Sequence, residues 1–490
     1  MKLIFRGHED RYAVEQSLLA FFPEERPVYE PAEDGEDHAL VTLSRSPRYN
    51  TAVTTITYHG RTARGISRTA VDPQLTEYEA ERLRQKAVKL SFFKAAREIT
   101  GITPSWGALT GIRPGKLASR MLEEGMTERQ VDRVLRDTYF VSPERRRLCI
   151  ETAEASRRAK AELKPEDISL YVGIPFCPTR CAYCSFVSQS VERTLGLVEP
   201  YLEVLHREIT DAARMVQETG LHIKSFYMGG GTPTTLSADQ MDRLLTHLNR
   251  SFDLSGCVEY CIEAGRPDTI DREKLQVLLD HGIDRISINP QTMNQKTLDL
   301  IGRRHTVEDV REKFHLARGL GFDNINMDLI VGLPEETIDD VKNTMEEIKS
   351  LAPDSVTVHS LAIKRAARLN MFKERYGDLK IVNTQEMIDM TADYAHGMGL
   401  YPYYLYRQKN MAGNFENVGY AAPGKECIYN ILIMEEKQTI MACGAGTTTK
   451  VLYPSENRIE RAENVKDVEQ YIERVGEMFG RKEKLIAVME

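Results

Sequence analysis

This sequence predicts an α/β fold built around an incomplete barrel, on three observations. Six short apolar runs recur with helix-length gaps between them: ISLYVGIPF (168–176), SFYMGGG (225–231), VEYCIEA (258–264), RISINPQ (285–291), NINMDLIVG (324–332) and SVTVHSLAI (355–363). Near-continuous apolar strands of this kind belong to parallel sheets buried on both faces. Six βα units fall short of the eight that close a full barrel, so an open, partial (β/α)6 barrel is expected. Finally, the glycine-rich and polar residues stand at the C-terminal ends of these runs, where such sheets collect their ligand sites.

The segment before the barrel, 1–165, is expected to form an N-terminal α/β domain with a linker helix. TAVTTITY (51–58) is rich in β-branched residues and predicts a strand. Residues 76–99 place Leu83, Ala87, Leu90 and Phe93 on one helical face. PSWGALTGIRPGKL (104–117) is punctuated by Gly and Pro and precedes another helix. PERRRLCIETAEASRRAKAEL (143–163) predicts a charged linker helix whose Arg145–Arg147 form a solvated face. The barrel is assigned to 166–365. Residues 366–490 hold a helix near 385–398, the stretch YPYYLYR (401–407), the loop GYAAPGKECIYN (419–430) and a terminal helix. They are expected to form a C-terminal substrate-covering domain over the barrel mouth.

Composition narrows the class. A chain of 490 residues suggests two to four domains, at roughly 100–200 residues each. Apolar residues make up 41 % and charged residues 28 %, as in ordinary soluble protein. A net charge of −8 argues against a nucleic-acid partner. Glu9 and Asp10 fall where a signal peptide would have its apolar core. No run approaches the ~18 apolar residues of a membrane span. Eight cysteines scattered through so long a chain are not a disulfide framework. A cytoplasmic location is expected, with thiols kept reduced and available for metal.

Three of those thiols, Cys177, Cys181 and Cys184, sit in GIPFCPTRCAYCSF, directly after the first barrel strand. Thiolates are soft ligands that favour iron–sulfur clusters, zinc or copper(I). Structural zinc wants four protein ligands, and a fully ligated iron–sulfur cluster wants four cysteines. The loop offers three and no histidine, so one metal position is left open. In catalytic metal sites that is where a substrate or cofactor binds. The alternatives are a zinc site completed from afar or an unmetallated loop.

Further candidates stand at the next strand ends. Gly229, Gly230, Gly231 and Thr232 end the second run; without Cβ atoms the backbone can approach a ligand closely. Glu263 is a carboxylate on an apolar strand, costly to bury unpaired. A cationic ligand, or a salt bridge to Arg285, would relieve that cost. Cys257 and Cys261 are expected as buried core thiols sharing one strand face. Gln291, Arg303 and Asp328 follow in order at the mouths of successive strands; such groups read hydroxyls and carboxylates.

Cys-x3-Cys-x2-Cys with Tyr183 between the last two cysteines resembles the radical S-adenosylmethionine (SAM) enzymes. The ordered set LYVGIPFC, CAYC, GGGTP, IEA, NPQ, RRH, DLIVGLP and CGAG, over about 168–450, is similar to the oxygen-independent coproporphyrinogen III oxidase (dehydrogenase) family. WGALTGIRPGKL (106–117) and LYVGIPFCPTRCAYCSF resemble its HemZ-type branch. The resemblance implies a radical SAM barrel with a [4Fe–4S] cluster on Cys177, Cys181 and Cys184, the fourth iron left to SAM. It implies Tyr171, Gly230, Gly231, Thr232, Glu263, Gln291, Arg303, Asp328 and Ala362 as SAM contacts. Two positions depart from the best-characterised branch. Gly173 stands where that branch has a histidine, and Phe186 where it has a fourth cysteine tied to full oxidase activity.

The implied reaction is the oxidative decarboxylation of two propionates of coproporphyrinogen III to the vinyls of protoporphyrinogen IX, a step of anaerobic haem biosynthesis. A radical takes a hydrogen atom from the carbon β to the carboxylate, and loss of CO2 and one electron follows. No catalytic triad is needed; the protein positions its substrate and excludes water and oxygen. Lys364, Arg365, Arg368, Arg407 and Lys409 are candidate anchors for the substrate carboxylates. The expected partners are a porphyrinogen or haem-type tetrapyrrole and an unidentified electron donor and acceptor, with the chain a monomer. The alternatives are a haem-binding chaperone-like carrier, a radical SAM enzyme acting on haem by methyl transfer or degradation, and a zinc-binding structural protein.

Overall fold

The computed structural model describes residues 1–33, 35–362, 379–407, 415–453 and 458–486. The chain forms two compact units, Met1–Ile150 and Glu151–Glu490.

In the first unit, strands β1 (Lys2–Arg6), β2 (His38–Arg45), β3 (Tyr49–Tyr58) and β4 (Arg61–Ala70) lie side by side in that order. β1 runs parallel to β2, and the other pairs are antiparallel. Along β3, Asn50, Ala52, Thr54 and Ile56 are buried, the period of two that one covered face demands. The helix Glu77–Thr100 starts on a Thr76/Glu79 capping box and stops at Gly101, whose φ of 72° only glycine adopts easily. Its Phe92, Phe93 and Ala96 complete one core with Val14, Val41 and Ile56.

The arginine triplet departs from its expected solvated face. Arg145 is only 3 % exposed, Arg146 pairs with Asp132 at 2.6 Å, and Arg147 alone of the three is exposed. Successive helical residues point about 100° apart, so three in a row cannot share one face.

The second unit is built on the six expected strands: β5 (Asp167–Ile174), then, after the short pair β6 (Phe176–Cys177) and β7 (Gln189–Ser190), β8 (His222–Gly230), β9 (Glu259–Gly265), β10 (Arg285–Ile288), β11 (Ile325–Val331) and β12 (Ser355–Ser360). β5 and β8 to β12 pair in parallel, each with its neighbour in the chain. Helices Val198–Glu218, Ala238–Ser251, Arg272–Asp280, Val307–Leu320 and Ile338–Leu351 return the chain between them. Ser237, Asp271, Thr306 and Thr337 cap four of these helices with their side chains.

The later strands go to both edges of this parallel core. β13 (Tyr401–Tyr406) and β14 (Asn417–Ala421) add beyond β12 in antiparallel fashion. β15 (Ile440–Cys443) adds parallel to β5, followed by β16 (Thr448–Tyr453) and β17 (Arg458–Glu463). The result is one open sheet of eleven strands, in the order β13-β14-β12-β11-β10-β9-β8-β5-β15-β16-β17. It is a partial barrel, as expected, with no closure among the described residues.

A buried ion pair ties the terminal helix Val468–Ile486 to the helix Val198–Glu218. Lys482 and Glu208 are essentially free of solvent, and the lysine donates to the carboxylate. Glu208 also accepts from Tyr471, from Asn464 at 2.7 Å and from the Gly444 N–H at 2.7 Å. Gly444 belongs to the CGAG motif, and a Cβ there would lie 2.5 Å from the Gly173 carbonyl oxygen. That motif therefore packs against the C-terminal end of β5. Among the described residues, no helix is long and apolar enough to cross a membrane.

Candidate active site

Cys177 lies just past the C-terminal end of β5, in β6. The glycine run at the end of β8 lies directly against it. The Gly231 N–H donates to the Ile174 carbonyl and the Thr232 N–H to the Phe176 carbonyl, both at 2.8 Å. The Thr232 hydroxyl reaches Cys177 Sγ at 3.5 Å. A Cβ on Gly231 would lie 2.5 Å from the Phe176 oxygen, so the bare backbone is required for this approach.

The far side of the cysteine loop is clamped by the chain beyond β9 and β10. The Ala182 N–H donates to the Ile301 carbonyl at 2.9 Å, and the Thr179 hydroxyl to the Gly302 carbonyl at 3.2 Å. Arg266, one residue past β9, donates to the Thr179 hydroxyl at 2.7 Å and lies 4.0 Å from Cys181 Sγ. Asp268 holds its guanidinium at 2.6 Å.

The three thiols differ electrostatically. Burial works against a charged Cys181, but Arg303 and Arg266 outweigh it and hold this thiol below its ordinary value. Burial pushes Cys177 up, and pushes Cys184 up to about 11. Arg303, 5 % exposed, donates to the Asn289 and Pro290 carbonyls, while its Nε has no hydrogen-bond partner among the described residues. His305 is buried beside it; desolvation, then the Arg303 charge, lower its pKa to about 3, so it is neutral. The thiols of a tetrahedral zinc site lie ~3.8 Å apart, from Zn–S bonds of about 2.3 Å. Among the described residues, a group of possible ligand atoms within 4.8 Å of one another is formed by Glu259, Cys261 and Cys427, away from the cysteine loop.

A second group of side chains faces the same glycine run. A Cβ on Gly229 would lie 3.0 Å from the Glu263 carboxyl carbon, and one on Gly230 3.6 Å from the Tyr171 hydroxyl. Tyr227 donates to Glu263. Burial raises Glu263 to about 7, with Asp328 adding to the rise and the Tyr227 bond opposing it. Asp328, two strands along, accepts from the Asn326 amide at 2.7 Å and faces His359 Nε2 at 3.7 Å. Burial opposes its charge, but His359, Asn326 and Thr357 together outweigh burial and keep the carboxyl below its usual range. The rings of Tyr171, Tyr227 and Tyr429 stack beside them, Tyr227 on Tyr429 at 4.6 Å.

Gln291 is buried just beyond β10 with a φ of 69°, a left-handed bend that is strained for a residue with a side chain. The bend lets its N–H donate to the Asp328 carbonyl at 3.0 Å and its carbonyl accept from Ile330 at 2.9 Å. Ala362 is half-buried just after β12. Lys364, Arg365, Arg368 and Lys409 lie outside the described residues, and Arg407 is buried.

The fold thus brings Tyr171, the three cysteines, Gly230, Gly231, Thr232, Glu263, Arg303 and Asp328 to one end of the parallel strands. Two expectations are corrected. Arg285 does not pair with Glu263; it is fully buried, donates to Asn324 and to the Lys425 carbonyl, and its charge faces Glu259. The sheet sets Arg285 opposite Cys261, midway between Glu259 and Glu263, and its bonds to Asn324 and the Lys425 carbonyl fix the guanidinium away from Glu263. Cys257 precedes β9 rather than sharing its face with Cys261, and is only partly buried. Residue patterns passed over Arg266, Tyr227, Tyr429 and His359. Arg266 carries the clearest signal, a cation directly following the strand-end motif IEAG.

A profile of the radical SAM superfamily matches residues 171–348. The chain is 42 % identical over 408 residues to the oxygen-independent coproporphyrinogen-III oxidase-like protein HemZ of Bacillus subtilis, over 82 % of this chain and 81 % of that protein. It is 36 % identical over 201 residues to the heme chaperone HemW of the same organism, over 40 % of this chain and 51 % of HemW. Among solved structures, the coproporphyrinogen III oxidase HemN of Escherichia coli shares the fold, with a TM-score of 0.52 and 24 % identity over 67 % of this chain and 73 % of that one.

Proposed function

The chain belongs to the radical SAM superfamily and, within it, to the family of the coproporphyrinogen-III oxidase-like protein HemZ, and from there we propose that it oxidatively decarboxylates the propionates of coproporphyrinogen III to the vinyls of protoporphyrinogen IX. Members of this superfamily work with a [4Fe–4S] cluster and SAM. One observation carries the proposal: three thiols on one loop, gripped between Gly231–Thr232 and Arg266, with carboxylates waiting on the other side of the same glycine run.

The residues present fit such a pair of cofactors. Cys177, Cys181 and Cys184 would be the three cluster ligands, one loop offering three thiolates and leaving a fourth position open. Arg303 and Arg266 favour the thiolate form of Cys181 that ligation requires. Tyr171, Gly230, Gly231, Thr232, Glu263, Gln291, Arg303, Asp328 and Ala362 border the SAM site. Glu263 would meet the cationic methionine end, and Gln291 and Asp328 would hydrogen-bond to ribose hydroxyls. When bound, the cluster and SAM supply a hydrogen-atom abstraction that no side chain here can perform. The chain's part is to hold the propionate carbon in reach and to exclude water. The substrate then loses CO2 and passes one electron to an external acceptor.

Residues 366–490 serve as the cover of the substrate site, and the protein works as a monomer in the cytoplasm. Phe186, 69 % exposed two residues after Cys184, favours a second reading. A solvent-facing ring at the fourth-cysteine position suits a haem carrier, or an enzyme acting on haem. The deciding experiment is anaerobic incubation of reconstituted protein with SAM and a strong reductant, with coproporphyrinogen III in one tube and haem in another. Vinyl product with stoichiometric 5′-deoxyadenosine is expected in the first tube. Turnover only of haem, or tight haem binding without turnover, would replace this reading by the second.

A further inference from the structure

We propose that His359 is a positioning residue, which holds the Asp328 carboxylate in the orientation that receives the ribose of the nucleotide cofactor. This depends on the reading above, in which Asp328 meets SAM.

The two residues sit on neighbouring parallel strands, Asp328 opposite Thr357 and Ile330 opposite His359. Side chains two apart on a strand share a face, so Asp328, Thr357 and His359 line the same side of the sheet. The backbone of Asp328 is held on both sides: its N–H donates to Asn289 Oδ1 at 3.2 Å, and its carbonyl accepts from Gln291 at 3.0 Å. What remains free is the rotation of its carboxylate. Oδ1 is held by Asn326 at 2.7 Å, and His359 Nε2 stands 3.7 Å from Oδ2. His359 is itself held on its other nitrogen, by the Tyr406 hydroxyl at 3.5 Å. A carboxylate has about four lone-pair sites, so one direction stays available to a ligand after Asn326, Thr357 and His359 have taken theirs.

His359 also contributes to the difference between two neighbouring carboxylates. Asp328 and Glu263 share one water-poor mouth, and like charges there disfavour each other. Glu263 is raised to about 7 by burial and by Asp328, while Asp328 stays below its ordinary range because His359, with Asn326 and Thr357, outweighs burial. Asp328 is therefore the ionised acceptor suited to hydroxyl donors.

The test measures SAM binding by calorimetry on anaerobically reconstituted protein, beside iron content and thermal melting. His359→Leu is expected to weaken SAM binding on the order of tenfold, with iron content and melting unchanged. His359→Gln, whose amide N–H reaches as far as the imidazole Nε2, is expected to keep most of the affinity. His359→Asn, whose N–H stops short, is expected to lose it. In an Asp328→Asn background, His359→Leu is expected to add nothing, because the histidine acts through the aspartate. Wild-type affinity in H359L overturns the proposal, as does an equal loss in H359N and H359Q, or a loss that is undiminished in the D328N background. Wild-type protein that takes up its iron but binds no SAM overturns the parent reading instead, and this one with it.

Discussion

Gly231→Ala tests whether the glycine run exists to let β8 press against the cysteine loop. The added Cβ would lie 2.5 Å from the Phe176 oxygen, 2.8 Å from the Ile174 oxygen and 2.9 Å from the Phe176 nitrogen. All three are backbone atoms, so no side chain can swing aside. An ordinary carbon–oxygen contact is about 3.3 Å, which requires the two segments to part by ~0.8 Å. Cys177 is the residue after Phe176, and metal–ligand distances tolerate only about 0.2 Å. The same movement stretches the two 2.8 Å hydrogen bonds from Gly231 and Thr232 towards the limit of usable geometry. The stability cost is about 3 kcal/mol, mostly overpacking with some loss from the two bonds. At roughly 2–4 °C per kcal/mol, melting falls by about 6–12 °C and the protein stays folded at room temperature. Iron and sulfide per chain after anaerobic reconstitution are the readout, expected below half of wild type. Gly196→Ala, whose new methyl meets nothing within 4 Å, serves as the control and is expected to load fully. Wild-type iron content in G231A would refute the close approach as the reason for the glycine.

Three other outcomes are expected. Glu263 is raised from 4.5 to about 7 in the folded protein, so below pH 4.5 it makes no difference. As pH climbs towards 7 the unfolded chain releases that proton first, and stability is lost. Glu263→Gln removes the loss: the cofactor-free variant should melt at the wild-type temperature at pH 4.5 and above it at pH 8, and equal melting at pH 8 would contradict the buried site. Lys482→Ala leaves the Glu208 carboxylate buried without its cation. It should cost about 3–5 kcal/mol in urea unfolding; a loss under 1 kcal/mol would mean the terminal helix is not held this way. Phe186→Ala, at a position 69 % exposed, should change stability by no more than about 0.5 kcal/mol and leave iron content intact, and lost iron would place that ring in the cluster's support.

Much of the barrel could be read along the chain because its strands are buried on both faces. Continuous apolar runs such as NINMDLIVG became β11 almost residue for residue. The helices between them carry their own start signals, Thr306 with Asp309 and Thr337 with Asp340 among them. The cysteines, glycines and strand-end polar groups of the mouth were legible for a related reason. Each stands at the end of a local element, and in a parallel sheet all such ends point the same way. Gln291 was found at the right place without its left-handed bend, since no residue pattern marks a glutamine for positive φ.

Where the sequence was silent, pairing between distant segments was the cause. Nothing in YPYYLYR or IMACG says that one borders β12 through β14 while the other borders β5. Edge choice depends on which unpaired strand is free once the core has formed, a property of the assembled sheet. Arg285 faces Glu259 rather than Glu263 for a like reason, because Asn324 and the Lys425 carbonyl, both distant in the chain, hold its guanidinium. His359 is the same case at the mouth. Its sequence neighbours show only an apolar strand, and its bearing on Asp328 exists because two parallel strands lie side by side with those two residues on one face.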